Sequence, residues 1–591
     1  MHLHSPLARR AARATLLTLG VAVLSATAAA QTASTTDPRA NLKAGWKDAA
    51  VAASNMRLVS TAEKPAGMYD PANLGNFSFM NSDLAFSGKY VFQGNFNGFQ
   101  IWDASDLKSL KLRTLYTCPG GQGDLSVYKN LLFMSVEETR GRVDCAAGGV
   151  KDTVSAERFR GVRIFDISDI EHPRIITQVQ TCRGSHTHTL LEDPKDKGVV
   201  YVYVQGTSVV RSPNELAGCS RLGPDQDANT SLFRIEIIRV PLASPQDAKV
   251  VNSPRIFSDS AGAIAGLWKG GAHGEGTQET SQTNQCHDIT VYPAIGLAAG
   301  ACSGNGIILD IKDPVHPKRI AEVIDPNFAY WHSANFNNEG TKVLFTDEWG
   351  GGTNPRCRVT DKMTWGADAI FAIKDRKLTL GGYYKLPAAQ TATENCVAHN
   401  GSIIPVPGRD IMAQGWYQGG ISVFDFTDPA HVQEIAYFDR GPVNADTLHI
   451  GGSWSAYWHN GVIYSTEIAR GLDILELTPS EFLSQNEIDA AKLVQNEVNN
   501  PQNQMKNTWP ASFAVARAYL DQLMRGNGLK AERTAAIGKA LHEAEKLQGG
   551  PRRVALNKLA MQLSDDAKGA ADGARVKAMA SAVSELALAS K

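Results

Sequence analysis

One short phrase recurs along this chain, and it constrains the fold more than any other feature of the sequence. The phrase begins with Gly, continues as an alternating apolar strand, and ends with Asp and a polar turn that often contains Asp-Pro. Five clear copies and two fainter ones begin at Gly98, Gly161, Gly306, Gly420 and Gly471, and at Ser231 and Gly366. Self-similarity of this kind indicates a repeat architecture.

Each copy of the phrase has further strand-like runs around it. Two shorter runs precede it, as in NSDLAFSGKYVFQG before Gly98, and another run such as RIITQVQ follows it. Four short strands separated by turn residues make up one propeller blade, and blades in a ring bury one another's faces. The sequence therefore predicts an all-β fold, a β-propeller of about seven blades over residues 70–478.

The phrases IWDAS, IFDIS, ILDIK, VFDFT and ILELT resemble the LVIVD-repeat family, whose name describes the same apolar strand ending in Asp. The resemblance covers most of the span from about Leu84 to Leu477. It implies a β-propeller in extracytoplasmic proteins, usually of unknown function, and it carries over no catalytic residue. Long loops and paired cysteines mark this chain as an elaborated member.

The spacing of the phrases, about 50 to 75 residues, exceeds that of tighter propeller repeats, so several blades must carry long loops. We expect these loops at Glu137 to Arg160, Gly206 to Thr230, Asn252 to Gln285 and Gly350 to Trp365.

The first thirty residues have the composition of a signal peptide. Three arginines (Arg9, Arg10 and Arg13) precede an apolar run from Leu16 to Leu24 and a stretch of small residues ending at Ala30. The apolar run is too short for a membrane span. We expect cleavage near Ala30 and a periplasmic or secreted protein without a transmembrane segment in the mature chain.

The cysteine count agrees with export. An even number of cysteines in an oxidising compartment predicts disulfides. The chain contains no C-x-x-C pair, which would have indicated a metal site. We predict pairing between sequence neighbours: Cys118 with Cys145, Cys182 with Cys219, Cys286 with Cys302, and Cys357 with Cys396.

Three further regions complete the predicted domain organisation. Residues 31–69 form an N-terminal extension, and residues 479–507, which are rich in Asn and Gln, form a linker. Residues 508–591 have the Ala, Leu and Lys content and the apolar spacing of a small helical bundle. The net charge of -1 gives no excess of basic residues, so nucleic-acid binding is disfavoured.

Histidines stand at the start of the first strand of four successive repeat units. They are His186 and His188, then His287, His332 and His399. First strands of a propeller line its channel, so the imidazoles would converge on one mouth and bind a transition metal such as Cu, Fe or Zn. Alternatively, these residues belong to a hydrogen-bond network between blades that also includes Asp83, Asp124 and Trp454.

Other polar and aromatic residues are weaker candidates. Asp347, Glu348 and Glu467 are candidate acids. Aromatic residues such as Trp331, Trp349, Trp416 and Tyr417 would either stack on a flat ligand or pack between blades. No G-x-S-x-G motif follows a strand, which excludes a serine hydrolase of that type. Two hypotheses remain, a binding or interaction module for an unknown ligand or protein partner, and a metal-dependent enzyme such as an oxidoreductase.

Overall fold

The computed structural model describes residues 32–259 and 261–590, and the predicted signal peptide lies outside these ranges. Two strands precede the repeats and lie within the predicted N-terminal extension. They are β1 (Val51–Ser54) and β2 (Met56–Glu63).

The repeat region is built from small antiparallel sheets whose strands follow one another along the chain. The strands of the first three sheets are β3 (Asn81–Ser87), β4 (Tyr90–Asn95), β5 (Gly98–Asp103) and β6 (Lys111–Thr117); β7 (Leu125–Tyr128), β8 (Leu131–Val136), β9 (Gly161–Asp166) and β10 (Arg174–Gln180); and β11 (His188–Glu192), β12 (Val199–Val204), β13 (Glu236–Pro241) and β14 (Lys249–Asn252). A two-stranded hairpin in the next loop consists of β15 (Gly271–Ala272) and β16 (Glu279–Thr280).

Two further sheets of the same kind follow, and then one large sheet. The strands of these two sheets are β17 (Asp288–Tyr292), β18 (Leu297–Cys302), β19 (Asn305–Asp310) and β20 (Lys318–Val323); and β21 (Trp331–Phe336), β22 (Lys342–Asp347), β23 (Asp368–Lys374) and β24 (Lys377–Tyr384). The large sheet contains β25 (Asn400–Ile404), β26 (Ile411–Gly415), β27 (Ile421–Asp425), β28 (Gln433–Arg440), β29 (Ser453–His459), β30 (Val462–Glu467) and β31 (Gly471–Leu477), together with β1 and β2.

The large sheet consists of two units of the same kind, joined where β25 and β29 pair in parallel. Strand β2 pairs with β31 and supplies the outer strand of the last unit, while β1 pairs with β28. The first strands contact one another in a closed ring, in the order β3, β7, β11, β17, β21, β25, β29 and back to β3. The described fold is therefore mostly β and propeller-like, and the start of the chain completes its last sheet.

The recurring phrase supplies the third strand of every unit, and its Gly and Asp have identifiable roles. At Gly98 and Gly161 the backbone has φ of 144° and 148°, and a Cβ atom would lie 1.9 or 2.0 Å from a carbonyl oxygen of the neighbouring strand. The Asp at the end of the strand accepts a hydrogen bond from the backbone N–H two residues later, at 3.0 Å for Asp103 and 2.9 Å for Asp166. Gly thus permits close strand approach, and Asp fixes the turn.

All four disulfides are present in the predicted pairing, Cys118–Cys145, Cys182–Cys219, Cys286–Cys302 and Cys357–Cys396. They lie between residues 118 and 396. In three of them one cysteine, Cys145, Cys219 or Cys357, belongs to a segment predicted as a long loop, and its partner lies within a few residues of a strand. No helix in the described ranges is long and apolar enough to cross a membrane.

Helices follow the sheets. They are α1 (Gln485–Lys492), α2 (Phe513–Arg525), α3 (Ala531–Lys546), α4 (Gly549–Asp566) and α5 (Gly573–Ala589), and short 3-10 helices occur at Phe77–Phe79, Pro245–Asp247, Pro293–Ile295 and Trp349–Gly352. Helices α2 to α5 share one apolar core that includes Leu523, Leu541, Leu559 and Val583.

The segment predicted as a linker, residues 479–507, contains α1 and a short strand, β32 (Val498–Asn499). Strand β32 pairs with β3, and the residues after it bond to β7, β17 and β21. This segment therefore crosses the ring of first strands on its way to the helices.

Candidate metal centre

Five histidines lie where first strands begin, and four of them lie side by side. His186 precedes β11 by two residues, His287 and His399 immediately precede β17 and β25, and His332 is the second residue of β21. Because these strands are neighbours in the ring, the imidazoles form one row. Ring centroids lie 4.4 Å apart for His186 and His287, 3.9 Å for His287 and His332, and 4.3 Å for His332 and His399. We call these four residues the histidine cluster.

A carboxylate joins the cluster from the end of β22. Glu348 Oε2 lies 3.7 Å from His332 Nε2, and Glu348 Oε1 lies 3.5 Å from His399 Nε2. The Tyr417 hydroxyl donates a hydrogen bond of 2.5 Å to Glu348 Oε1 and so fixes the carboxylate. One ligand atom each of His287, His332 and Glu348 lie within 4.8 Å of one another.

Three imidazole nitrogens in the cluster are buried and have no hydrogen-bond partner. They are Nδ1 of His287, Nε2 of His332 and Nε2 of His399. The other ring nitrogen of His399, Nδ1, donates to the Trp454 carbonyl oxygen, so in the neutral ring Nε2 presents a lone pair to the Glu348 carboxylate. In that form of the ring, two acceptors face each other without a hydrogen between them, an arrangement that a cation would stabilise.

The electrostatics keep two of the rings neutral. Burial, together with the neighbouring histidines, holds the pKa of His287 and of His332 well below the ordinary value of 6.5. Burial and the Glu348 carboxylate hold the pKa of Tyr417 well above 10, so its hydroxyl keeps its proton. Neutral imidazole is the form that binds transition metals.

His186 differs from the other three histidines because both of its nitrogens have partners. Its Nδ1 lies 2.6 Å from Glu137 Oε1, and its Nε2 lies 2.9 Å from Gln122 Nε2. Burial alone would lower the pKa of His186, but the Glu137 carboxylate outweighs it and the pKa is raised. The His186 side chain is 19% exposed, so this end of the row is open to solvent.

His188, the other histidine of the same motif, lies apart from the cluster. Its Nδ1 lies 2.8 Å from Ser135 Oγ and 3.1 Å from Asp124 Oδ2, and its ring contacts Phe133. His188 is the first residue of β11, whereas His186 lies in the bend before it, and the structure places His186, rather than His188, beside His287.

The other predicted polar candidates hold loops in place. Asp347 Oδ1 accepts hydrogen bonds from the backbone N–H of Ala329 and Tyr330 at 2.9 and 3.0 Å. Glu467 accepts from the backbone N–H of Gly452 at 2.8 Å and from the Arg470 guanidinium at 2.8 Å. Neither carboxylate belongs to the histidine cluster.

The aromatic candidates mostly pack within the protein. Trp331 and Trp416 are fully buried, and Trp349 stacks against the Arg356 guanidinium at 3.4 Å. Trp454 contacts the cluster, since its ring centroid lies 4.8 Å from that of His399.

Three partners of the cluster were not predicted in their roles. Glu348 was singled out only as an acid, Tyr417 only as an aromatic residue, and Glu137 only as the start of a long loop. The signal for Glu348 was its place at the end of the second strand, next to Asp347 and a run of glycines.

The donor set fits a transition-metal ion. Metal bonds of about 2.0 to 2.2 Å at a tetrahedral angle place two ligand atoms about 3.4 Å apart, close to the 3.5 and 3.7 Å between Glu348 and the two histidines. His287, His332 and Glu348, whose ligand atoms lie within 4.8 Å of one another, would hold the ion, and His399, which faces the other oxygen of the same carboxylate, is the fourth candidate ligand. Imidazole and carboxylate ligands suit Zn, Cu or Fe and supply Lewis-acid or redox chemistry.

Comparisons with known proteins give no assignment. No protein-family model matches the chain, and no curated protein matches it. Among solved structures, the N-terminal domain of Nup159 is similar with a TM-score of 0.40 and 7% identity, over 73% of this chain and 99% of that chain. A protein from Lactobacillus plantarum is similar with a TM-score of 0.36 and 11% identity, over 61% of this chain and 83% of that chain.

Proposed function

We propose that this protein is a metal-dependent enzyme whose transition-metal ion is bound by His287, His332, His399 and Glu348. The observation that carries the proposal is the set of buried imidazole nitrogens without partners next to a buried carboxylate. Leaving such groups buried and unpaired costs about 1–3 kcal/mol each. A bound cation removes that cost and accounts for the arrangement.

The pair formed by His186 and Glu137 supports catalysis rather than metal storage. An imidazole oriented by a carboxylate and located at the solvent-exposed end of the row can take up or release a proton next to the metal. His186 is not required as a ligand, because its two nitrogens already have partners.

The scaffold and compartment belong to the same proposal. We infer a seven-bladed β-propeller of the LVIVD-repeat type, followed by a C-terminal helical bundle, in a periplasmic or secreted protein. The closed ring of first strands supports the blade count. The four disulfides support an oxidising compartment.

Metal content of protein purified without an affinity tag tests the proposal. We expect near-stoichiometric Zn, Cu or Fe by elemental analysis, and we expect the double variant His287→Ala/His332→Ala to lose it. The matched control is His172→Ala/His316→Ala, which removes two exposed histidines that each pair with a surface Asp. Near-UV circular dichroism establishes that each variant is folded.

A second variant addresses the carboxylate. Glu348→Gln keeps the shape of the side chain and removes its charge. We expect the metal affinity, measured in a chelator competition, to fall by at least the roughly 10- to 100-fold that loss of an outer-shell partner costs. The proposal fails if the untagged wild-type protein contains no metal and takes none up from Zn, Cu or Fe salts. It also fails if the control loses as much metal as the cluster variant.

A binding module is the second candidate, and the cavity between two long loops favours it. Residues of the loops 137–160 and 206–230 line a common cavity of about 480 Å³, a size typical of small-molecule sites. Ligand binding without turnover, in protein that contains no metal, would favour this function over the enzyme.

A further inference from the structure

The cavity between the two long loops carries an unusual charge. Its lining includes five basic side chains and two carboxylates. The basic residues are Lys151, Arg158, Arg160, Arg211 and Arg221, and the acidic ones are Asp152 and Glu215. Positive charge therefore predominates in a concave site that also has apolar walls at Val150, Val209 and Pro213.

Three of these arginines are buried, with 6%, 2% and 4% of their surface exposed for Arg158, Arg160 and Arg211. Glu215 is shared by two of them, since it pairs with Arg158 and, at 2.7 Å, with Arg211 Nε. One buried carboxylate thus serves two buried guanidinium groups.

Arg160 has no carboxylate partner among the described residues. Its Nε donates to the Glu137 carbonyl oxygen at 3.0 Å, and its Nη2 donates to the Val209 carbonyl oxygen at 2.7 Å. Burial, and then the charge of Arg211, lower the pKa of Arg160 to about 10. Buried cations are normally paired, so the charge balance of this cavity is incomplete.

Two further positively charged side chains lie at the rim of the cavity and have no ion-pair partner among the described residues. They are Lys151 and Arg221, and both are exposed. Such groups attract an anion to the site and can contact it once bound. Arginine presents several N–H donors in a plane, which suits the two oxygens of a carboxylate or the oxygens of a phosphate.

We propose that this cavity binds a small organic anion through Arg160, Lys151 and Arg221. The volume of about 480 Å³ suits a molecule with a short carbon skeleton, and the apolar walls favour a carboxylate-bearing compound over a bare inorganic ion.

One residue, Glu137, connects the cavity to the histidine cluster. Arg160 bonds to the backbone of Glu137, whose side chain bonds to His186. An anion bound here would therefore be linked to the histidine cluster through Arg160, Glu137 and His186. The binding proposal itself does not depend on the presence of the metal.

Calorimetric titration of the full protein with sodium succinate tests the proposal, and inorganic phosphate serves as the second probe at the same ionic strength. We expect succinate to bind and to raise the thermal unfolding midpoint, because a ligand of the folded state stabilises it. The variant Lys151→Gln/Arg221→Gln should increase the Kd on the order of tenfold without changing the unfolding midpoint of the ligand-free protein.

The matched control, Lys195→Gln/Lys374→Gln, removes the same charge from exposed lysines outside the cavity. It should bind succinate as the wild type does. Arg160→Met, in protein shown to be folded, should abolish binding.

Phosphate binding that exceeds succinate binding would overturn the organic-anion proposal. Absence of binding of both probes at millimolar concentration, or equal weakening in the control, would overturn the site itself. Metal content is measured in the same samples, so a failure here is distinct from a failure of the metal centre.

Discussion

The buried histidines among the described residues have different surroundings. Those of the histidine cluster lie beside one another and beside the Glu348 carboxylate, whereas His459 in β29 packs between the aromatic rings of Phe86 and Tyr464. Its ring stacks on Phe86 with centroids 4.4 Å apart, and its Nε2 lies 3.2 Å from the Asn460 side-chain nitrogen. Burial lowers the pKa of His459 from 6.5 to about 4.

The lowered pKa of His459 makes the protein sensitive to acid. Above pH 6.5 the ring is neutral in both the folded and the unfolded states, so its titration contributes nothing. Between pH 6.5 and 4 only the unfolded state takes up the proton, so the stability of the folded state falls as the pH falls. One pKa unit corresponds to about 1.4 kcal/mol, which gives a loss of about 3 kcal/mol at pH 4.

Urea denaturation at pH 7 and pH 4.5 measures this effect. His459→Gln should lose less free energy of unfolding between the two pH values than the wild type loses. His431→Gln, which changes a histidine that is 83% exposed, should lose as much as the wild type. Equal losses in the wild type and His459→Gln would contradict the assignment.

The sequence analysis identified the histidines of the candidate site but not most of the residues that contact them. His287, His332 and His399 were predictable because the repeats place them at equivalent strand starts, which a closed ring brings together. Glu137 and Tyr417 were not, because they reach the cluster from loop positions that strand periodicity does not specify. The choice between His186 and His188 depended on where β11 begins, which a motif with two histidines leaves open.

Among the elements, the segment rich in Asn and Gln shows how composition can suggest a linker where the structure has specific contacts. Asn500 accepts a hydrogen bond from the backbone N–H of Val127 at 2.7 Å and donates to its carbonyl oxygen at 2.9 Å. Gln504 bonds in the same way to Phe336, at 2.9 and 2.7 Å. These amide side chains replace the backbone partners that a neighbouring strand would supply to β7 and β21.

Asn500→Ala tests the role of this segment. The change leaves the N–H and carbonyl groups of Val127 without partners in a buried position, so we expect the free energy of unfolding to fall by about 2–4 kcal/mol. Chemical denaturation monitored by circular dichroism gives the value. Gln495→Ala, at an exposed position of the same segment, should cost less than about 0.5 kcal/mol. A similar small cost for both variants would show that the segment is only a connection.

At the scale of the whole molecule, the segments before and after the repeats both pack on the sheets. The start of the chain supplies β1 and β2, and the helices dock on the turn between β25 and β26. The Trp509 indole donates to the Pro405 carbonyl oxygen at 2.8 Å, and the Gln522 amide donates to the Pro407 carbonyl oxygen at 2.9 Å. A repeat fold that is closed and covered in this way should unfold together with its helices.

Glu487 in α1 connects the sheets to the helices through buried charges. Its carboxylate bonds to Arg409 at 2.9 Å, which lies beside β26, and to Arg525 of α2 at 2.6 Å, and it accepts a hydrogen bond of 2.7 Å from the Ser484 backbone N–H. Glu487→Ala removes the shared partner of two arginines, one of them buried, and should cost about 3–5 kcal/mol.

Scanning calorimetry distinguishes loss of the connection from general destabilisation. We expect one unfolding transition for the wild type, and for Glu487→Ala a separate, lower transition in which the helices unfold before the sheets, since the sheets keep their disulfides and the Arg409–Asp425 pair. Glu543→Ala, which removes an exposed carboxylate of α3, should behave as the wild type does. If the wild type already shows two transitions, or Glu487→Ala shows one transition at the wild-type temperature, the helices and the sheets are not coupled through Glu487.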